Sequence, residues 1–152
     1  MQINLSPIAF VKNSRKEPID DHWEEITSEI ELAEDIPTEA FEKIELFSHL
    51  EIIFYLNKVD NDKIVFARRP RGNVDYPMMG ILAQRNKDRP NAIGLTTVEL
   101  VAHYGRNITV RYLDAIDGTP ILDIKPVFKG FQPQGEIKQP DWVADLMKNY
   151  WQ

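Results

Sequence analysis

The sequence predicts a mainly β protein, a small antiparallel barrel or sandwich of about seven strands with a short helix and a C-terminal helix. Three observations support this fold class. Several short segments alternate apolar and polar residues, turn-forming residues separate them, and only two stretches have a helical pattern. A parallel sheet would need helices between its strands, and neither G-x-G-x-x-G nor G-x-x-x-x-G-K occurs. The sequence therefore argues against a doubly wound nucleotide-binding fold.

Seven segments have the character of strands. Alternating apolar residues, such as Leu50, Ile52, Phe54 and Leu56, are typical of half-buried strands. Gly105-Arg106-Asn107 is a turn signal and predicts a hairpin between two of the segments. In chain order, the predicted strands are 7–12, 26–32, 50–56, 80–85, 95–104, 108–113 and 121–124.

Two segments are predicted as helices. The first is short and follows a possible Thr38 N-cap, continuing through Phe41 and Ile44. The second extends from 141 to about 151, where a wide apolar stripe must pack against the barrel end or form an interface. The stripe consists of Trp142, Val143, Leu146, Met147, Tyr150 and Trp151.

Length and composition predict one folded domain over residues 1–152. Of these residues, 43% are hydrophobic and 28% are charged. There is no cysteine, which excludes disulfides, thiolate metal ligands and cysteine nucleophiles. No window approaches the roughly eighteen apolar residues of a membrane span, and the N-terminus lacks an export signal pattern. We therefore expect a cytoplasmic protein with no membrane segment.

The net charge of −6 is unevenly distributed. Residues 17–62 hold fifteen acids against two lysines, a local charge of −13, whereas residues 63–90 carry +5 and five of their seven cations are arginines. Arginine binds phosphate or carboxylate through two parallel hydrogen bonds, so a cluster of arginines suits an anionic ligand. Alternatively, the two blocks neutralise each other.

Two further segments contain residues that can perform chemistry. The loop 84–95 holds Arg85 and Arg89 and is stiffened by Pro90. The segment 117–126 begins with an Asp-Gly-Thr-Pro turn, which is an ordinary hairpin signal. With Asp114 and Asp123, Asp117 gives either three carboxylates for a divalent cation or a turn that holds the ribose or ammonium group of a ligand. The spacing matches no calcium loop, so no metal site is predicted.

Histidine chemistry offers one candidate. His49 precedes an apolar strand and is a possible general base. No serine elbow or second histidine completes a hydrolase arrangement, so the sequence argues against nucleophilic triad chemistry.

The order of these segments resembles the TsaA/TrmO-like family. The resemblance rests on residues 7–11, 47–50, 85, 89–95 and 117–126 and extends from about 7 to 128. It implies a small antiparallel β-barrel that forms a homodimer, with S-adenosylmethionine held near the dimer interface. The implied activity is methylation of the exocyclic nitrogen of threonylcarbamoyladenosine beside the tRNA anticodon.

The resemblance also assigns roles to residues. The implied cofactor contacts are Ser48, His49, Arg85, Leu95, Asp117, Gly118, Thr119 and Pro120. His49 and Asp117 are the candidates for a proton acceptor, and the implied RNA contacts are Arg69, Arg71, Arg89 and Asn91.

Two alternatives remain open at this stage. The acidic segment 13–23 differs from the family pattern, which leaves room for a non-tRNA methyl acceptor. A barrel that binds S-adenosylmethionine or a nucleotide without catalysis is the second alternative. Metal-dependent hydrolysis by Asp114, Asp117 and Asp123 has weaker support.

Overall fold

Six antiparallel strands close into a barrel in the order β1-β2-β7-β6-β3-β8, and β4 and β5 form a separate two-stranded sheet. The computed structural model describes the backbone of residues 1–152 and every side chain except that of Asn61. The elements are β1 (Ala9–Lys12), β2 (Thr27–Leu32), β3 (His49–Tyr55), β4 (Ala67–Arg68), β5 (Met79–Gly80), β6 (Ile93–Tyr104), β7 (Asn107–Arg111), β8 (Pro120–Pro126) and the helix α1 (Asp141–Met147).

The barrel interior explains the alternation in the sequence. In β3, Leu50, Ile52 and Phe54 face inward and are buried, whereas His49 and Tyr55 are exposed. Burial of each such apolar side chain contributes roughly 1.5–3 kcal/mol. The other fully buried apolar residues of the barrel are Ala9, Val11, Ile30, Val98, Ile108, Val110, Leu113 and Ile121. The prediction of a mainly antiparallel β-barrel is confirmed.

The long strand β6 pairs with different neighbours along its length. Residues 93–99 pair with β3, whereas β7 pairs only with the part from Glu99 to Tyr104 and has a register shift between Leu100 and Ala102. One edge of β6 before Glu99 is therefore not paired with β7. Its backbone carbonyl groups can accept hydrogen bonds from side chains.

Two local predictions were wrong. The predicted strand 80–85 is a strand only at Gly80, after which Ile81–Ala83 forms a 3-10 turn. Gln84 fixes this turn, because its side chain donates to the carbonyls of Arg68 and Met79 at 2.9 Å. The first predicted helix is instead two 3-10 turns, Thr38–Phe41 and Ile44–Leu46.

The first of these turns also lacks the predicted cap. Pro37 occupies the N-cap position and there is no side-chain cap bond, so Thr38 does not cap the segment. Lys43 separates the two turns with a φ of 62°, which is left-handed backbone and prevents a continuous helix.

The C-terminal helix ends earlier than predicted. It stops at Met147 because the chain then pairs with an N-terminal loop. The backbone N–H groups of His22, Trp23 and Glu24 donate to the carbonyls of Asn149, Tyr150 and Trp151 at 2.8–3.1 Å. The apolar stripe packs against the chain itself, where Trp142 lies 5.9 Å from the Tyr76 ring. None of the helices described here is both long and apolar enough to cross a membrane.

Candidate functional site

The residues predicted to contact a cofactor lie in two groups. The outer-face group, consisting of Ser48, His49, Arg85 and Leu95, lies on the outside of β3 and β6. The turn group, residues 117–120, lies at the start of β8. Ile121 pairs with Phe54, whereas the N–H of Val127 donates to the carbonyl of His49 at 3.0 Å. His49 and the turn group are thus near opposite ends of β3, about 17 Å apart at 3.4 Å per residue.

Strand register places the outer-face group on one face of the sheet, and one side-chain contact joins two of its members. His49 pairs with Glu99, whereas Leu95 points to the same side of β6 but pairs with Ile53, about 14 Å along the strands from His49. Arg85 Nη2 donates to the carbonyl oxygen of Leu95 at 2.5 Å. Ser48 Oγ lies 2.7 Å from Nδ1 of His49.

An open cleft of about 420 Å³ adjoins the outer-face group. Tyr112 and Trp151 form its aromatic part, with ring centroids 5.7 Å apart in a T-shaped arrangement. We call it the Tyr112–Trp151 cleft, and its lining residues are Glu24, His49, Thr97, Glu99, Tyr112, Trp151 and Gln152. Sequence reasoning identified only His49 among these. The period of two from Leu95 is a usable signal for Thr97 and Glu99, whereas the other lining residues are far from Leu95 in the sequence.

The turn group is bound to the segment that follows β1. Asp117 accepts the N–H of Asn13 at 3.0 Å and the ammonium of Lys16 at 2.5 Å. Gly118 donates its N–H to the carbonyl of Val11 at 2.7 Å. The hydrogen bond from Lys16 and that from the Asn13 backbone hold the pKa of the Asp117 carboxyl below its usual value. Asp117 is therefore a weak proton acceptor.

The predicted RNA contacts have partners within the chain. Arg69 donates to the carbonyls of Val74 and Tyr76, and Arg89 donates to the carbonyl of Gln84 at 2.7 Å.

Arg71 forms a bidentate ion pair with Asp21 at 2.9 and 3.2 Å. Asn91 is exposed and has a φ of 65°. The loops thus position Arg69, Arg71 and Arg89 by internal bonds.

The carboxylates considered for a metal do not converge. Asp114 accepts hydroxyl hydrogen bonds from Thr96 and Tyr150, and Asp123 pairs with Lys125 at 2.6 Å. Among the described residues, no three His, Asp or Glu side chains form a group that would hold a metal ion.

The Tyr150–Asp114 contact predicts a dependence of stability on alkaline pH. Burial, followed by the charge of Asp114, raises the pKa of the Tyr150 hydroxyl well above its usual value. A raised pKa stabilises the protein below the unfolded value of about 10, and the contribution is lost as the pH rises above it. Tyr150→Phe should lower the free energy of unfolding by about 1–2 kcal/mol at pH 7, because Asp114 loses a hydrogen-bond donor. Its urea unfolding curve should approach that of the wild type as the pH rises above about 10.

Tyr104→Phe is the control for this prediction, because Tyr104 is 70% exposed. The free energy of unfolding of this variant should equal that of the wild type at every pH. An equal deficit for Tyr150→Phe at pH 7 and pH 11 would contradict the assigned role of the hydroxyl.

Comparisons with known proteins agree with this fold. The chain is 32% identical over 139 residues to a "Probable S-adenosyl-L-methionine-binding protein" of Methanothermobacter thermautotrophicus, covering 89% of this chain and 97% of the relative. It is 33% identical over 127 residues to a protein of the same description from Archaeoglobus fulgidus, covering 84% of this chain but only 33% of that relative. The chain thus spans about a third of the second relative.

More distant proteins extend the comparison. A human "tRNA (adenine(37)-N6)-methyltransferase" is 32% identical over 113 residues, which are 74% of this chain and 25% of the human protein. The crystal structure of TrmO from Pseudomonas aeruginosa superposes with a TM-score of 0.75 at 23% identity, covering 95% of this chain and 63% of that chain. At this identity the superposition supports the fold alone.

The family comparison covers most of the barrel. The model of the "tRNA-methyltransferase O N-terminal domain" matches residues 9–132, which include both the outer-face group and the turn group. The resemblance assigned from the sequence is confirmed. This chain belongs to the family of the tRNA-methyltransferase O N-terminal domain.

Proposed function

We propose that this protein is an S-adenosylmethionine-dependent methyltransferase that acts on the N6 nitrogen of threonylcarbamoyladenosine beside the tRNA anticodon. The observation that carries the proposal is the outer-face group. Arg85 and Leu95, ten residues apart in the sequence, are in contact on the strand face that also carries His49. The family match over residues 9–132 and the names of the relatives support the cofactor and the acceptor.

The outer-face group fits the cofactor chemically. A guanidinium has five N–H donors, so Arg85 can bind the cofactor carboxylate while one nitrogen stays on the Leu95 carbonyl. The unpaired edge of β6 offers further backbone groups to the ribose or the adenine. When bound, S-adenosylmethionine supplies an electrophilic methyl group on a positively charged sulfur.

The residues of the chain would act mainly by alignment. Methyl transfer is an in-line displacement, and a correct orientation of the two reactants is worth roughly 7–11 kcal/mol. The acceptor nitrogen exchanges one hydrogen for the methyl group, so one proton must leave. His49 is the preferred proton acceptor, because its ring lines the cleft and both oxygens of Asp117 are already bound.

A homodimer would bring the two predicted groups to one cofactor. In one chain Ser48 and His49 lie near the opposite end of β3 from the turn group, so we propose that the 117–120 turn of a second copy faces these two residues. The outer surface of β3 and β6 carries exposed apolar side chains that suit such an interface, namely Tyr55, Ile93, Leu95 and Val101. Light scattering at micromolar concentration should give about twice the chain mass of 17.6 kDa, and a monomer mass would contradict the dimer.

Arg69, Arg71, Arg89 and Asn91 are the proposed RNA contacts. The ion pair between Arg71 and Asp21 is partly exposed, and such pairs contribute only about 0–1 kcal/mol. Arg71 can therefore exchange Asp21 for an RNA phosphate.

A second candidate function has an observation of its own. The three arginines are engaged within the chain, and residues 17–62 form a strongly acidic block. Both features favour a non-tRNA methyl acceptor or cofactor binding without catalysis.

The decisive experiment is transfer of a labelled methyl group from S-adenosylmethionine. Bulk tRNA with threonylcarbamoyladenosine should be labelled, and tRNA lacking this modification should not. Label in a metabolite extract but not in tRNA would support the other acceptor. Cofactor binding without label in either pool would support the non-catalytic function.

A further inference from the structure

The Tyr112–Trp151 cleft is completed by a segment beyond the family match. Trp151 and Gln152 lie after residue 132, where that match ends, yet they line the cleft beside His49. Three backbone hydrogen bonds between residues 22–24 and 149–151 hold this segment in place. The Tyr150–Asp114 contact fixes it further. These hydrogen bonds fix the C-terminal segment as one wall of the cleft.

The lining of the cleft suits a positive charge. Two carboxylates, Glu24 and Glu99, and two aromatic rings contribute to it. Carboxylates attract cations by charge, and the faces of Trp and Tyr attract them through the ring quadrupole. A phosphate group would instead be repelled.

The chain places a cation of its own at this rim. The Arg111 guanidinium carbon lies 5.2 Å from the centre of the Tyr112 ring, and Nη1 lies 3.7 Å from a Glu99 oxygen. Both side chains of that ion pair are about 40% exposed, so the contact is weak and leaves Glu99 available to a ligand.

The position of the cleft connects it to the outer-face group. Thr97 lines the cleft and lies two residues along β6 from Leu95, a distance of about 7 Å. A ligand whose carboxylate is bound by Arg85 at Leu95 therefore extends naturally into the cleft.

We infer that the Tyr112–Trp151 cleft binds a small organic cation. On the basis of the proposed function, this cation is the sulfonium group of S-adenosylmethionine. The C-terminal segment then distinguishes the charged cofactor from S-adenosylhomocysteine, which carries the same carboxylate and ammonium groups but an uncharged sulfur.

Calorimetric titration of the full chain with each of the two ligands tests the inference. The wild type should bind S-adenosylmethionine roughly ten-fold more tightly than S-adenosylhomocysteine, given the strength of cation–π contacts. Trp151→Leu keeps an apolar side chain but removes the aromatic face, so the ratio should fall to about two-fold or less, with the larger loss of affinity for S-adenosylmethionine. Trp151→Phe should preserve most of the preference.

Charge variants give an independent readout that leaves Trp151 in place. Glu99→Gln should reduce the preference by about three-fold, whereas Glu39→Gln, on the distant first 3-10 turn, should not change it. Circular dichroism verifies that each variant is folded.

The outcomes separate the inference from the proposed function. Equal binding of both ligands by the wild type, or a preference that survives Trp151→Leu, would overturn the inference and leave the proposed function standing. Binding of neither ligand by the wild type would overturn both.

Discussion

Gly94→Ala is expected to lower the free energy of unfolding by roughly 3 kcal/mol, the upper part of the usual range for overpacking a core. Gly94 lies on β6 opposite Phe54, and a Cβ atom at this position would fall inside van der Waals contact with three atoms of the Phe54 ring. That ring is 97% buried and belongs to the barrel core, so it has little room to move. Thermal unfolding should show a decrease of about 6–12 °C for a chain of this length.

Gly80→Ala is the matched control, because nothing lies within 4 Å of the Cβ that it would add. It should change the unfolding temperature by less than about 2 °C. The double variant Gly94→Ala with Phe54→Leu should recover part of the loss, since the two sites are in contact and their effects do not add. A Gly94→Ala protein as stable as Gly80→Ala would show that the close approach of strand and ring is not required.

Burial on one side explains which strands the sequence predicted well. In β2, β3 and β7 the inward residues alternate strictly with outward ones, because one face is packed in the barrel and the other faces solvent. The segment 80–85 has no such face. Its Ile81 is buried, but the neighbouring Leu82 is 80% exposed, and the backbone is set by hydrogen bonds from the Gln84 side chain to the carbonyls of Met79 and of Arg68, which is sixteen residues away. The alternation of apolar and polar residues in the sequence does not indicate hydrogen bonds of this kind.

The same limit applies to the candidate site. Arg85 and Leu95 were predicted together and are in contact, because both come from one loop and the strand that follows it. Tyr112 and Trp151 were not predicted as site residues. They meet across 39 positions of sequence, through a backbone pairing of the chain end with residues 22–24 that has no local signal.

The cluster of arginines in residues 63–90 is only partly available to an anionic ligand. The arginines of residues 63–90 are close together in the sequence, but the structure gives Arg69 and Arg89 backbone carbonyls as partners and Arg71 the carboxylate of Asp21. Part of the positive block is thus used to order the loops and to neutralise the acidic block, as the alternative interpretation of the sequence held. Arg85 differs from these three because its carbonyl partner lies on the face that carries His49.

Arg85→Ala should weaken binding of S-adenosylmethionine by about 10- to 150-fold, the range that corresponds to the loss of a hydrogen bond to a charged group. The guanidinium is the proposed partner of the cofactor carboxylate, and alanine offers no donor in its place. Calorimetric titration of each variant with S-adenosylmethionine measures the change directly. Arg85→Lys should retain part of the affinity, because it keeps the charge but loses the planar fork that binds a carboxylate through two bonds.

Lys87→Ala separates this specific role from a general effect of charge. Lys87 is exposed and only two residues from Arg85, so its removal changes the net charge by the same amount without touching the Leu95 carbonyl. Its affinity should stay within about two-fold of the wild type, because an exposed charge is screened over a Debye length of about 8 Å at physiological salt. An equal loss in Lys87→Ala and Arg85→Ala would mean that the loop attracts the cofactor only by its overall charge. A loss confined to Arg85→Ala would place the cofactor carboxylate at the unpaired edge of β6, next to the cleft that contains His49.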